Sequence, residues 1–161
     1  DKDGWFHTGD AGYLKGNHLY LTERIKDLFK TSNGKYISPQ ALETKLSIDR
    51  YIDQIAVIAD QRKFVSALIV PVYGLVKNYA KEKGLEYKDM ADLLHPKVQA
   101  LFRARIDTLQ QQFAHYEQVK RFTLLSEPFS MERGELTNTL KLKRSVVAKN
   151  YKELIDKMYE E

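Results

Sequence analysis

Two apolar segments near the middle of the chain constrain its fold most strongly. Residues 55–59 read Ile-Ala-Val-Ile-Ala, and residues 64–70 read Phe-Val-Ser-Ala-Leu-Ile-Val. Short runs rich in β-branched residues are typical of buried strands. The polar stretch at 60–63 indicates a turn between them, and Pro71 is expected to end the second strand because it cannot donate to a ladder. The sequence therefore predicts two strands joined by a short turn.

Helical patterns lie on both sides of these strands. Ser38 and Pro39 fit the N-cap and the first position of a helix, whose apolar face we assign to Leu42, Leu46 and Ile48. Three later helices are predicted from apolar residues spaced three and four apart. Their apolar positions are, in order, Leu75, Val76, Tyr79 and Ala80, ended by Gly84; Val98, Phe102, Ile106, Leu109, Phe113 and Tyr116; and Val147, Tyr151, Leu154 and Met158.

The order of the predicted elements indicates the fold class. A further strand is predicted at 119–125 and a loop at 128–134. Strands and helices that do not alternate strictly are typical of an α+β fold, here a small sheet flanked by helices. The aromatic residues of the longest helix are expected in the core.

A β-hairpin is predicted ahead of this unit, at residues 12–21. Gly16 and Asn17 form a turn pair that tolerates positive φ. Leu14, Leu19 and Leu21 are then the candidate inward-facing residues.

The composition excludes several classes of function. The chain of 161 residues has no cysteine, which excludes disulfides, thiolate metal sites and a cysteine nucleophile within it. No apolar run approaches the ~18 residues that span a bilayer, and the four histidines lack a metal-binding spacing. The absence of cysteine fits a reducing compartment, so we expect a cytoplasmic protein, with peripheral contact to a membrane left open.

The charge favours an anionic partner. The net charge is +4, and the stretch at 141–152 carries only positive charges. Nucleotides, the phosphates of CoA, anionic lipids and nucleic acids all fit such a surface. Taken alone, the run at 141–152 is best explained as a solvated basic helix face.

Two segments near the start carry side chains that suit a nucleotide. Residues 4–10 read Gly-Trp-Phe-His-Thr-Gly-Asp, and residues 24–27 read Arg-Ile-Lys-Asp. A short carboxylate at a strand end, such as Asp10, can accept two hydrogen bonds from a ribose diol. Taken singly, a turn aspartate and a surface charge cluster are simpler explanations.

Two further loops could carry chemistry. Residues 31–39 read Thr-Ser-Asn-Gly-Lys-Tyr-Ile-Ser-Pro, where a glycine would let a thin ligand pass close to the backbone, although an ordinary turn explains the spacing equally well. Residues 137–144 read Thr-Asn-Thr-Leu-Lys-Leu-Lys-Arg. The compact ammonium of Lys141, delivered to an α-phosphate, would offset charge that develops during nucleotidyl transfer.

In this order the segments at 4–10, 24–27 and 137–144 resemble the carboxy-terminal motifs of the adenylate-forming enzymes. That superfamily includes acyl-CoA synthetases, luciferases and the adenylation domains of peptide synthetases. The resemblance implies that Asp10 holds the ribose hydroxyls of ATP or acyl-AMP and that Arg24 contacts the nucleotide. It also implies that Lys26 is the hinge on which a small domain turns.

The resemblance extends to the two loops. It implies that the 31–39 loop lines the pantetheine path of CoA after the domain has rotated, through Asn33, Gly34 and Lys35, with the choice between Asn33 and Gly34 left open. It implies that Lys141 drives the adenylation step. Leu140 stands where the general motif has glycine, and this departure is similar to long-chain acyl-CoA synthetases.

The implied function belongs to a larger enzyme. Because the chain begins inside the first motif, we expect a piece of a long-chain fatty acid-CoA ligase that uses ATP, Mg²⁺ and CoA. Residues 1–25 would end the large AMP-binding domain and residues 26–161 would form the mobile carboxy-terminal domain. The expected partners are the upstream large domain, fatty acid, ATP and CoA, with no nucleic acid, and the isolated piece is expected to be inactive.

Two alternatives remain open at the level of sequence. One is a fatty acyl-AMP ligase that passes its acyl group to a carrier protein. The other is a non-catalytic basic module that binds nucleic acid or an anionic membrane through residues 141–152. The second explains the charge but leaves the segments at 5–10 and 24–27 without a role.

Overall fold

The computed structural model describes residues 1–85 and 90–160. The strands are β1 (Asp10–Lys15), β2 (His18–Arg24), β3 (Phe29–Lys30), β4 (Tyr36–Ile37), β5 (Ile52–Ile58), β6 (Val65–Pro71) and β7 (Val119–Leu124). The helices are α1 (Pro39–Leu46), α2 (Tyr73–Glu82), α3 (Pro96–Leu109), α4 (Arg144–Asn150) and α5 (Lys152–Lys157), with 3₁₀ helices at Ile25–Asp27 and Met90–Leu94. Within these described ranges, no helix has the length and apolar character needed to cross a bilayer.

A three-stranded mixed sheet organises the chain. Its strand order is β5-β6-β7, with β5 antiparallel and β7 parallel to β6. Helices α2 and α3 lie in the connection from β6 to β7, as a parallel pair requires. The predicted α+β fold and its strand pair are confirmed, and Pro71 is the last residue of β6.

Both faces of the sheet are covered, which explains why every residue of β6 is buried. Ala67 and Ile69 face the core that contains residues of α1, α2 and α3, while Leu68 and Val70 face a second core. The second core includes side chains of α4, α5 and the loop at 125–136. Because a strand turns alternate residues to opposite faces, one central strand serves both cores.

The first helix begins as predicted. Ser38 caps α1, since the Ala41 amide donates to Ser38 Oγ at 3.4 Å, and Pro39 occupies the first turn. Leu42 and Leu46 are fully buried. Ile48, however, is 66% exposed, so its assignment to the apolar face is wrong, because α1 ends at Leu46.

Two helical predictions were too long. Helix α3 ends at Leu109 because buried Gln110 turns the chain, its Oε1 accepting from the Val119 amide at 2.8 Å. Phe113 and Tyr116 therefore lie beyond the helix, and Tyr116 is 47% exposed rather than in the core. The carboxy-terminal helix is divided into α4 and α5 at Tyr151.

The amino-terminal hairpin forms as predicted, but its leucines do not face a core. Strands β1 and β2 pair antiparallel around Gly16, whose φ is +60°. Leu14, Leu19 and Leu21 are 74%, 64% and 68% exposed, so their inward assignment is wrong. The period of a strand shows which residues share a face but not what covers that face, and, among the residues that the structure describes, neither core includes the hairpin.

Candidate functional site

Lys141 lies opposite Thr137, where a tight turn over residues 137–141 closes. The Thr137 amide donates to the Lys141 carbonyl at 2.8 Å, and the Lys141 amide donates to Thr137 Oγ1 at 3.0 Å. Below the turn, Leu136 and Leu142 form an isolated antiparallel bridge. The backbone of the predicted catalytic lysine is thus fixed, while its side chain is exposed and free to reach another molecule or domain.

The residue before this lysine has an unusual backbone conformation. Leu140 has φ of +59°, in the left-handed region where glycine is favoured and other residues pay roughly 1–2 kcal/mol. The Leu140 amide donates to the Thr137 carbonyl at 2.8 Å, which closes the turn in this conformation. This geometry gives a physical reason for a glycine before the lysine in the general motif.

A buried carboxylate holds the base of the turn. Glu135 is fully buried, and its carbonyl accepts from the Lys143 amide at 2.8 Å. Its carboxylate accepts hydrogen bonds from the Arg133 guanidinium, the Asn150 amide at 3.1 Å and the Ser130 backbone amide at 3.0 Å. Burial alone would raise the pKa of Glu135, but these donors outweigh it and lower the pKa below its usual range.

This carboxylate should make stability depend on pH. A carboxyl whose pKa is lowered by folding stabilises the fold above its unfolded pKa of about 4.3, and that stabilisation is lost as pH falls through the folded pKa. We expect the free energy of unfolding, measured by urea titration, to fall less steeply below about pH 5 in Glu135→Gln than in the wild-type chain. An equal pH dependence of the free energy of unfolding in the two proteins would contradict a lowered pKa for Glu135.

An ion pair connects the end of this motif to α1. Arg144 donates to both carboxylate oxygens of Glu43, at 2.5 and 2.6 Å, and its guanidinium lies 5.6 Å from the Phe29 ring centroid. Glu43 Oε1 also accepts from the Val57 amide of β5 at 2.8 Å. A single carboxylate therefore connects α1, the sheet edge and the motif that carries Lys141.

Removal of this carboxylate should cost more than removal of an exposed one. Glu43→Ala leaves a largely buried guanidinium and a backbone amide without their acceptor, so we expect a loss of about 2–3 kcal/mol in the free energy of unfolding. Glu127, 71% exposed and 3.2 Å from Arg133, is the matched control, and Glu127→Ala should cost less than about 1 kcal/mol. Equal losses by urea unfolding would refute the role of Glu43.

An open groove of about 880 Å³ lies between α1 and the turn of Lys141. Its lining includes Leu140 and Lys141 of the turn, Thr44 of α1 and the ion pair of Arg144 with Glu43. Asp27, the last residue of the first 3₁₀ helix, also lines the groove. The segment that contains the predicted hinge and the turn that contains the predicted catalytic lysine therefore border one cleft.

The two predicted nucleotide ligands form a pair of their own. Asp10 and Arg24 are opposite one another in the β1–β2 register, and Arg24 Nε lies 3.1 Å from Asp10 Oδ1. A bulge between Ala11 and Gly12 shifts the register by one residue and creates this pairing. A Cβ at Gly12 would lie 2.5 Å from the Tyr20 carbonyl oxygen, so the close approach of the strands requires glycine.

Neither member of this pair contacts the catalytic candidate. Among residues 1–85 and 90–160, no hydrogen bond or ion pair connects Lys141 to Asp10 or Arg24. The structure therefore places the predicted nucleotide ligands and the predicted catalytic lysine on separate parts of the chain.

Lys26 lies at the centre of the short 3₁₀ helix that connects the hairpin to β3. This helix contains no buried residue. The Ile25 amide donates to the Gly9 carbonyl at 2.8 Å, and the Leu28 amide donates to the Ile25 carbonyl at 3.3 Å. A short exposed connection of this kind can absorb a change in φ and ψ without disturbing a core.

The predicted pantetheine-path residues form a rigid turn between β3 and β4. The Thr31 amide donates to the Lys35 carbonyl at 2.9 Å, and Gly34 adopts φ of +76°. Asn33 Nδ2 donates to the Lys63 carbonyl at 3.4 Å, which ties the turn to the β5–β6 connection. Asn33, Gly34 and Lys35 are all exposed, so their surface is open to a ligand or a second domain.

Sequence reasoning missed the residues that support the site. Glu43 and Arg144 are separated by 101 positions, and no local pattern relates them. Glu135 is a charged residue directly after the predicted loop at 128–134, where exposure is the ordinary expectation. The buried role of Glu135 depends on Arg133 and Asn150, which only the folded chain brings to it.

The described part of the chain offers no ready metal site. Within it, no group of three or more histidine, aspartate or glutamate side chains is arranged to hold an ion.

Comparison with known proteins shows the family to which the chain belongs. A model of the family described as the AMP-binding enzyme C-terminal domain matches residues 26–161, and the chain belongs to that family. The chain is 36% identical over its full length to the peroxisomal long chain acyl-CoA synthetase 7 of Arabidopsis thaliana, covering 24% of it. It is 33% identical to the long-chain-fatty-acid--CoA ligase FadD15 of Mycobacterium tuberculosis, over 98% of this chain and 27% of that protein. The chain thus spans about a quarter of the length of these curated relatives.

Solved structures share the fold. The adenylation domain of a carboxylate reductase from Mycobacterium chelonae superimposes with a TM-score of 0.78 at 24% identity, over 99% of this chain and 24% of that one. The adenylation domain of the enzyme from Segniliparus rugosus, in complex with AMP, gives a TM-score of 0.78 at 23% identity, over 99% of this chain and 24% of that one. At these identities the likeness concerns the fold alone.

Proposed function

We propose that the chain is the mobile carboxy-terminal part of a long-chain fatty acid-CoA ligase. In this proposal ATP and a fatty acid give acyl-AMP and pyrophosphate, and the thiol of CoA then attacks the acyl-AMP to give the thioester and AMP. Membership of the AMP-binding C-terminal family and the names of the curated relatives support the reaction class. Mg²⁺ would enter with ATP as the companion of the triphosphate.

The observation that carries the proposal is the geometry of Lys141. An exposed ammonium stands on a turn whose backbone is fixed by two hydrogen bonds and whose base rests on buried Glu135. Such a group can cross a domain boundary and meet negative charge that develops between a carboxylate and an α-phosphate. A charge that is fixed in place before the reaction stabilises the transition state without reorganisation.

Asp10 and Arg24 would supply one side of the nucleotide pocket. Their ion pair aligns a carboxylate with a guanidinium at the edge of the hairpin, which suits a ribose diol beside a phosphate. The exposed leucines of the hairpin are consistent with a covering layer supplied by the upstream large domain. Residues 1–25 would belong to the edge of that domain and residues 26–161 to the mobile part, a boundary that agrees with the start of the family match.

Rotation about Lys26 would bring two different surfaces of the mobile part to the active site, one in each orientation. In one orientation Lys141 enters the active site for adenylation. In the other, the turn with Asn33, Gly34 and Lys35 lines the path of pantetheine for thioester formation. The two surfaces lie on different turns, each with its own hydrogen bonds, so one domain can present them one after the other.

The isolated chain should neither activate fatty acids nor bind ATP tightly. It supplies only one side of the nucleotide pocket, and a ligand that is contacted by fewer groups binds more weakly. Calorimetry of the purified chain with ATP and Mg²⁺ should give a Kd weaker than roughly 1 mM. Micromolar affinity would show that the pocket is complete without the upstream domain and would overturn this division of labour.

A further inference from the structure

Leu140 is both strained and exposed. Its φ is +59° and 67% of its surface is open to solvent. Within the described residues, the other non-glycine residue with positive φ is Gln61, whose backbone and side chain both donate to the Lys30 carbonyl. The apolar side chain of Leu140 cannot form a hydrogen bond, so no comparable bond offsets its backbone strain.

A glycine at position 140 would adopt the backbone conformation of this turn without strain. The hydrogen bonds of the turn at 137–141 are made by backbone atoms and by the Thr137 and Thr139 hydroxyls, so none depends on the side chain of Leu140. A few residues earlier, the chain places Gly134 at φ of +71°. A residue held in a disfavoured conformation where glycine would fit points to a role for its side chain outside the local fold.

The position of Leu140 indicates what that role is. Leu140 and Lys141 line the same groove and are adjacent at the closing end of the turn. A surface that fills this groove around the Lys141 ammonium would therefore contact the Leu140 side chain as well. An apolar contact beside the ammonium would exclude water there, and a charge acts more strongly where water is excluded.

We propose that Leu140 is a positioning residue for adenylation. Its side chain packs against an apolar surface of the upstream large domain when Lys141 enters the active site, and it holds the ammonium in register with the reacting groups. The inference rests on the proposed function. The occupant is the large domain because the curated relatives continue well beyond the quarter of their length that this chain covers.

The experiment compares Leu140→Gly, Leu140→Ala and Leu140→Met in the full-length enzyme. Leu140→Gly relieves the strain and removes the side chain, so its thermal midpoint should rise while kcat for adenylation falls about tenfold. Leu140→Ala should lose similar activity without the gain in stability. Leu140→Met, of similar volume, should stay within about threefold of wild type.

Two readouts separate positioning from a general structural role. The KM for ATP and the rate of thioester formation from supplied acyl-AMP should change little in all three variants, since Leu140 acts only through Lys141. Leu94, which is 71% exposed and not part of the groove, is the matched control, and Leu94→Ala should leave adenylation unchanged.

Normal adenylation by Leu140→Gly would overturn the inference. If Lys141→Ala is severely impaired in that case, the proposed function stands and only the role of Leu140 fails. If Lys141→Ala is also fully active, the proposed function itself fails.

Discussion

Replacement of Lys141 by alanine in the full-length enzyme is expected to slow acyl-AMP formation by roughly 10²–10³-fold, the effect of losing one preorganised electrostatic donor. The substitution removes the exposed side chain with its ammonium and leaves the turn in place, because the turn is held by the Lys141 backbone and by Thr137. Thioester formation from supplied acyl-AMP should change little, since Lys141 would by then have rotated away. Pyrophosphate exchange measures the first step, and single-turnover formation of acyl-CoA measures the second.

Lys143 provides the control for this prediction. It is exposed, and only its backbone amide contacts Glu135, so Lys143→Ala should cost little in either step. If Lys143→Ala impairs adenylation and Lys141→Ala does not, the catalytic lysine of the motif is Lys143, two positions later than assigned. If both substitutions are neutral, the assignment of this segment to a ligase fails.

Replacement of Lys26 by proline should give the opposite pattern. Proline fixes φ and disfavours the helical conformation of the preceding residue, Ile25, in a three-residue 3₁₀ helix. Adenylation should persist, while thioester formation from acyl-AMP should fall by about tenfold or more because the domain cannot rotate. Lys26→Ala removes the ammonium but keeps the backbone free, and it should retain most of the activity in both steps.

Equal loss of both half-reactions in Lys26→Pro would argue that this segment does more than turn the domain. Strong impairment of Lys26→Ala would point instead to a role for the ammonium itself. Each outcome is read from the same two assays that test Lys141.

The strands and helix starts could be predicted from sequence because their signals are local. The apolar runs of β5 and β6 needed no knowledge of the rest of the chain, and Ser38-Pro39 marked the start of α1. The end of α3 could not be predicted in this way. It depends on a hydrogen bond between Gln110 and Val119, and the apolar spacing that continues to Tyr116 has no helix to support it.

The same contrast between local signals and long-range contacts applies to the candidate site. Asp10, Arg24 and Lys141 could be predicted as site residues because they lie in contiguous motifs. Their arrangement was not predictable, because the pairing of Asp10 with Arg24 depends on a one-residue bulge beside Gly12. The sequence pattern gave the residues, and long-range contacts determine which of them meet.

The supporting contacts were beyond prediction for a similar reason. Glu43 and Arg144 lie 101 positions apart, and Glu135 is buried by partners that come from a loop and from α4. A charged residue has the same appearance in a sequence whether it is solvated or buried with partners. Only the fold distinguishes the two.

The central claim is that one small domain serves two half-reactions in two orientations. The most direct test is the ratio of the adenylation rate to the rate of thioester formation, measured in the same preparation of full-length enzyme. Relative to wild type, Lys141→Ala should lower this ratio by roughly 10²–10³-fold, and Lys26→Pro should raise it by about tenfold or more. A ratio that stays at the wild-type value in both variants, while both rates fall together, would contradict the account.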